Sequence, residues 1–105
     1  MTDFVRVASV NDLADGDIMM VEVYGDRVLL ANLDGEFYAI GEECTHAGGS
    51  LSEGDVEEGQ VECPIHGALF DLKTGANIGP PAAEPVQAYP LRIEGEDVLV
   101  GPLEA

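Results

Sequence analysis

A chain of 105 residues with no change of composition along its length is sized for one domain around one core. Its 46% hydrophobic residues are interleaved with turn formers, which excludes intrinsic disorder, and no apolar stretch is long enough to span a bilayer. Four Lys+Arg against 21 Asp+Glu give a formal charge of -17, which repels nucleic-acid phosphates and anionic membranes and favours a partner with a basic face.

The opening Met1-Thr2-Asp3-Phe4-Val5-Arg6 lacks a basic region followed by an apolar run, so the expected location is the cytoplasm. Thirteen Gly and six Pro punctuate short apolar runs, the pattern of many brief strands joined by tight turns, and the expected class is all-β. Phe4 to Ala8 alternates as a first strand. A polar connection from Ser9 to Asp17 follows, with a short helical turn at Val10 to Leu13. Ile18 to Tyr24, Val28 to Leu33 and Glu36 to Ile40 read as a meander with turns at Gly25-Asp26 and Asp34-Gly35.

From Gly41 to Pro85 glycines become frequent and the strands too short to build a core of their own, which marks an inserted small β subdomain over about 41–85. Asp55 to Glu57 can pair with Gln60 to Glu62 around Glu58-Gly59, and Ala68 to Leu72 can turn at Lys73-Thr74-Gly75. Gly79 to Pro85 is proline-stiffened and expected to be an extended loop. Pro90 to Glu94 and Val98 to Val100 complete the framework across Gly95-Glu96-Asp97.

The chain has two Cys and two His in all, and they lie in two short segments, Cys44-Thr45-His46 and Cys63-Pro64-Ile65-His66. Together they spell C-x-H-x16-C-x2-H, so each segment supplies one thiolate and one imidazole beside glycines that let the backbone bend closely round a metal centre. Tetrahedral zinc accepts the same four donors, but zinc motifs usually place like ligands together. A Cys-His nucleophile pair would leave the other pair unused. Ordinary burial in a core would not confine all four to two matching loops.

The segments Cys44-Thr45-His46-Ala47-Gly48 and Cys63-Pro64-Ile65-His66-Gly67-Ala68-Leu69-Phe70-Asp71 resemble the two cluster-binding loops of the Rieske iron-sulfur family, and the flanking strand pattern is similar to its small ferredoxins over nearly the whole chain. The resemblance implies a Rieske-type fold over 1–105, an antiparallel β-sandwich framework with the cluster-binding subdomain inserted. It implies one 2Fe-2S cluster, with Cys44 and Cys63 on one iron and His46 and His66 on the other. Potentials in the family span about -150 to +300 mV. High-potential members resemble C-T-H-L-G-C and C-P-C-H-G-S-x-Y, whereas Gly49 and Ile65 here replace the disulfide cysteines, and Ala68 and Phe70 replace the Ser and Tyr hydroxyls. Fewer hydrogen bonds to cluster sulfur imply a potential near the lower end.

That pattern is similar to the ferredoxins of aromatic-ring-hydroxylating dioxygenases. It implies a carrier of single electrons from an NAD(P)H-dependent flavin reductase to a terminal oxygenase, docking transiently near the histidines, with Ala47, Ile65, Leu69 and Pro80-Pro81 as apolar candidates around them. An oxygenase would need two further His for a separate iron, so the chain is expected to be no enzyme and to have no small-molecule substrate of its own. Service to another oxygenase or to a nitrite reductase, and a zinc-stabilised interaction module, are the alternatives.

Overall fold

The computed structural model describes residues 4–43, 50–64, 67–78 and 85–101. Strand pairing in it is set largely by two-residue turns. Val23 pairs with Asp26, Leu33 with Glu36 and Glu57 with Gln60, and each intervening dipeptide ends in glycine. In Asp34-Gly35 both residues have positive φ, 55° and 87°, the type I′ geometry whose twist matches that of the strands it joins. The first hairpin differs from the sequence expectation by one residue. Tyr24 and Gly25 take the two positive-φ positions, and Asp26 already belongs to the next strand.

Among the described residues ten strands result, β1 (Val5–Ser9), β2 (Ile18–Val23), β3 (Asp26–Leu33), β4 (Glu36–Gly41), β5 (Asp55–Glu57), β6 (Gln60–Glu62), β7 (Leu69–Asp71), β8 (Asn77–Ile78), β9 (Leu91–Glu94) and β10 (Asp97–Val100). All pairings are antiparallel, in three sheets ordered β1-β10-β9, β2-β3-β4 and β5-β6-β7-β8. The expected helical turn is a 3-10 turn over Val10–Asp12. The Ser9 hydroxyl caps it by accepting from the Asn11 N–H, and the Asp12 carboxylate accepts from the Ser9 N–H. β8 and a second 3-10 turn, Leu51–Glu53, have no counterpart in the sequence expectation. They are too short to carry any periodicity. The expected 79–85 loop lies outside the described residues except for Pro85, which is in no strand.

The β2-β3-β4 sheet is covered on both faces. Successive side chains of a strand point to opposite sides. Val28 and Leu30 of β3 therefore join Ala8, Val21, Val23, Ala39, Val98 and Val100 in one core, facing the sheet made by the chain ends. Leu29 and Ala31 join Ile40, Leu51, Val61, Cys63, Ala68, Phe70, Leu72 and Val86 in a second core, facing the β5-β8 sheet. All four of these β3 residues are fully buried, which is why Val28-Leu29-Leu30-Ala31 is an unbroken apolar run and not an alternating one. The expected two-sheet framework is thus present, and the inserted sheet closes over its far side. No helix among the described residues is long and apolar enough to cross a membrane.

Candidate metal centre

The first of the two Cys-His segments follows β4 in sequence. The last residues of that strand are tied to the returning chain, Ile40 bridging to Ala88 and the Gly41 N–H donating to the Gln87 carbonyl at 2.8 Å. Glu43 and Ser50 then form an isolated antiparallel bridge, and the Leu51 N–H donates to the Glu42 carbonyl at 2.8 Å. The described residues on either side of 44–49 are therefore tied together, and the chain from Ser50 runs directly into the Leu51–Glu53 turn, anchored by fully buried Leu51.

Gly54 follows, and it joins the two segments. A Cβ there would collide with the backbone carbonyl of Glu62, the last residue of β6, so only glycine allows the approach. Cys63 comes next. Its N–H donates to the Ala68 carbonyl at 2.7 Å, continuing the β6-β7 ladder by one step. Gly67, next to Ala68, takes φ +72°, a conformation L side chains rarely adopt. The Cys63 side chain is 1% exposed and packed in the second core with Ala68 and Phe70. Glu53, Gly54, Glu62, Cys63, Pro64 and Gly67 line one groove, so the flanks of both segments meet on the same side of the small sheet.

Of the four sequence-predicted donors, Cys63 is placed in this way. Cys44, His46 and His66 lie outside the described residues, as do Ala47, Gly49, Ile65, Pro80 and Pro81. Leu69 is half-buried on β7. No three His, Cys, Asp or Glu among the described residues are grouped so as to hold a metal ion. A buried thiol at the end of a ladder, backed by apolar side chains, fits a soft iron-sulfur centre. A hydrated hard cation would need oxygen donors there.

Electrostatics around the centre are one-sided. Each of the four cations is already engaged: Arg6 with Asp97 at 2.8 Å, Arg27 with Glu43 at 3.8 Å, Arg92 with Glu94 at 2.9 Å and over the Phe4 ring, and Lys73 over the Tyr38 ring. These ion pairs are exposed and contribute little to stability, but they leave the surface field negative. The hydrogen bond from Arg6 to Asp97 raises the guanidinium pKa further. Beside the base of the first loop, burial and then the nearby charge of Asp26 raise the Tyr89 phenol above its ordinary value of 10.0.

Comparison with known proteins is consistent throughout. The family model described as Rieske [2Fe-2S] domain matches residues 3–90. The biphenyl dioxygenase ferredoxin subunit of Pseudomonas sp. (strain KKS102) is 43% identical over 98 residues, covering 92% of this chain and 90% of that one. Among solved structures, the ferredoxin of carbazole 1,9a-dioxygenase from Nocardioides aromaticivorans IC177 superposes with a TM-score of 0.92 at 36% identity, covering 95% and 98% of the two chains. The complex of reduced oxygenase and oxidized ferredoxin in carbazole 1,9a-dioxygenase contains a chain matching with a TM-score of 0.89 at 30% identity, covering 96% of this chain and 97% of that one. A nitrite reductase small subunit from Mycobacterium tuberculosis, at 23% identity, shares the fold alone. The family match and the ferredoxin relatives set the zinc module aside: the chain belongs to the Rieske [2Fe-2S] domain family and carries one 2Fe-2S cluster of that type.

Proposed function

We propose that this chain is the ferredoxin component of an aromatic-ring-hydroxylating dioxygenase system, passing single electrons from an NAD(P)H-dependent flavin reductase to the terminal oxygenase. The observation that carries this reading is likeness to a dioxygenase ferredoxin subunit over 92% of this chain and 90% of that one. Cys44, His46, Cys63 and His66 hold the cluster. Supporting that assignment, buried Cys63 borders a groove shared with Glu53 and Gly54, which follow the first Cys-His segment in sequence, and the other Cys and both His fall in the two short sequence segments 44–46 and 63–66. A cytoplasmic setting, in which thiolates stay reduced, belongs to the same reading.

When bound, the cluster supplies reversible one-electron chemistry. The chain's part is to hold and tune it. Cys63 is fixed by the ladder and shielded by the second core. Ala68 and Phe70 are fully buried in that core and offer no hydroxyl, so added negative charge is less stabilised and the potential is low. Replacing Ala68→Ser together with Phe70→Tyr should raise the potential, read by direct voltammetry. A double variant with a normal cluster spectrum and an unchanged or lower potential would refute this account of tuning.

Docking is electrostatic and brief. With a charge of -17, encounter with a basic reductase or oxygenase surface should be fast at low salt and slow severalfold as ionic strength rises, because screening shortens the reach of surface charge to about 8 Å near physiological salt. The function is tested by purifying the protein and following its visible absorption. A red-brown protein that bleaches on reduction, and whose reduction rate by a flavin reductase falls along a salt series, is the expected result. A colourless protein would overturn the reading, and a flat salt profile would remove steering from it.

A further inference from the structure

Glu42 departs from the pattern of the acidic side chains. At 3% exposure it is the one buried Asp or Glu among the described residues. Both carboxylate oxygens are engaged by a single residue across the first loop. The Ser52 N–H donates to Oε1 at 3.0 Å and the Ser52 hydroxyl donates to Oε2 at 2.7 Å. The backbone alone already closes this loop, through the Glu43–Ser50 bridge and the hydrogen bond from the Leu51 N–H to the Glu42 carbonyl. The carboxylate clamp is therefore additional. It also costs desolvation, which those hydrogen bonds help to offset. Arg27, the cation lining the adjoining groove, pairs with exposed Glu43 and not with Glu42.

We propose that Glu42, clamped by Ser52, is a positioning residue for the Cys44–His46 segment: it ties the end of β4 to the turn that follows Ser50 and puts a buried carboxylate two residues before Cys44. The inference rests on the assignment of Cys44 and His46 as ligands. The side chain acts on both flanks of 44–49 at once, because it follows the last residue of β4 while its donors belong to the turn after Ser50. A negative charge two residues from a ligand opposes the arrival of an electron, in the same direction as the missing hydroxyls.

Two variants separate positioning from simple support. Glu42→Gln keeps the shape of the side chain and removes the charge. Ser52→Ala keeps the charge and removes the hydroxyl donor. Each is purified as the red-brown holoprotein and read by voltammetry, by EPR and by the lifetime of the visible absorption in air, beside its melting temperature. Glu42→Gln is expected to raise the potential, and Ser52→Ala to shift the g-values and shorten the cluster lifetime severalfold. Wild-type potential, g-values and lifetime in both variants, even with a lowered melting temperature, would overturn the proposal and leave Glu42 a purely structural residue. Should Glu42→Gln fail to fold, Ser52→Ala decides alone. The underlying ligand assignment has its own readout: His46→Ala retaining the wild-type EPR signal would defeat that assignment, whereas a normal wild-type spectrum with unmoved Glu42 and Ser52 variants defeats only the positioning role.

Discussion

Substitution of His46 or His66 by alanine should abolish the mixed-ligand EPR and visible signature completely and lower the melting temperature of the purified protein. The chain contains no third histidine to take over, and the proposed ligand set already uses both of its cysteines. The structural cost follows from size. In a domain this small a bound centre is part of the folding free energy, and its loss is a loss of stability. Fully buried Cys63 makes the coupling direct, since the thiol sits in the same core as Phe70, Leu72 and Leu51. The check is EPR of the reduced protein with a thermal melt. A variant that keeps the wild-type signal would remove that histidine from the ligand set.

Leu29→Ala and Leu30→Ala should each cost about 2 to 5 kcal/mol, a large share of the roughly 5 to 15 kcal/mol that holds a small domain together. Both side chains are fully buried, so their losses should be similar in a denaturant titration. Their consequences for the cluster should differ. Leu29 packs in the core that contains Cys63, and Leu30 packs against the sheet made by the chain ends. Air bleaching of the visible absorption should therefore accelerate in Leu29→Ala and stay near wild type in folded Leu30→Ala. Equal bleaching in the two variants would contradict the division of β3 between two cores.

Much of this architecture was legible because it is written in local chemistry. Asp34-Gly35 and Glu58-Gly59 each place glycine second in a two-residue turn, and the flanking strands pair around them as expected. The donor spacing C-x-H-x16-C-x2-H pointed to the family without any structure. What escaped was tertiary. Tyr24 gives no sign in sequence that it will accept a φ of 52°, and so the first turn was placed one residue late. Gly54 read as punctuation, yet its reason is the carbonyl of Glu62, brought beside it by the folding of the small sheet. Glu42 was one acid among 21, and its burial depends on Ser52 arriving from the far side of a loop.

The sharing of the β2-β3-β4 sheet bears on how this redox unit could be moved between proteins. Leu29, Ala31 and Ile40 belong to the framework by chain position but form one wall of the chamber that encloses Cys63, Ala68 and Phe70. Residues 41–85 excised as a peptide would expose that chamber on one side, and strands of two or three residues cannot re-form it unaided. Grafting the two loops onto a foreign scaffold therefore requires a receiving sheet that presents matching apolar side chains on its outer face. The unit of transplantation is the insert together with the back of the meander beneath it.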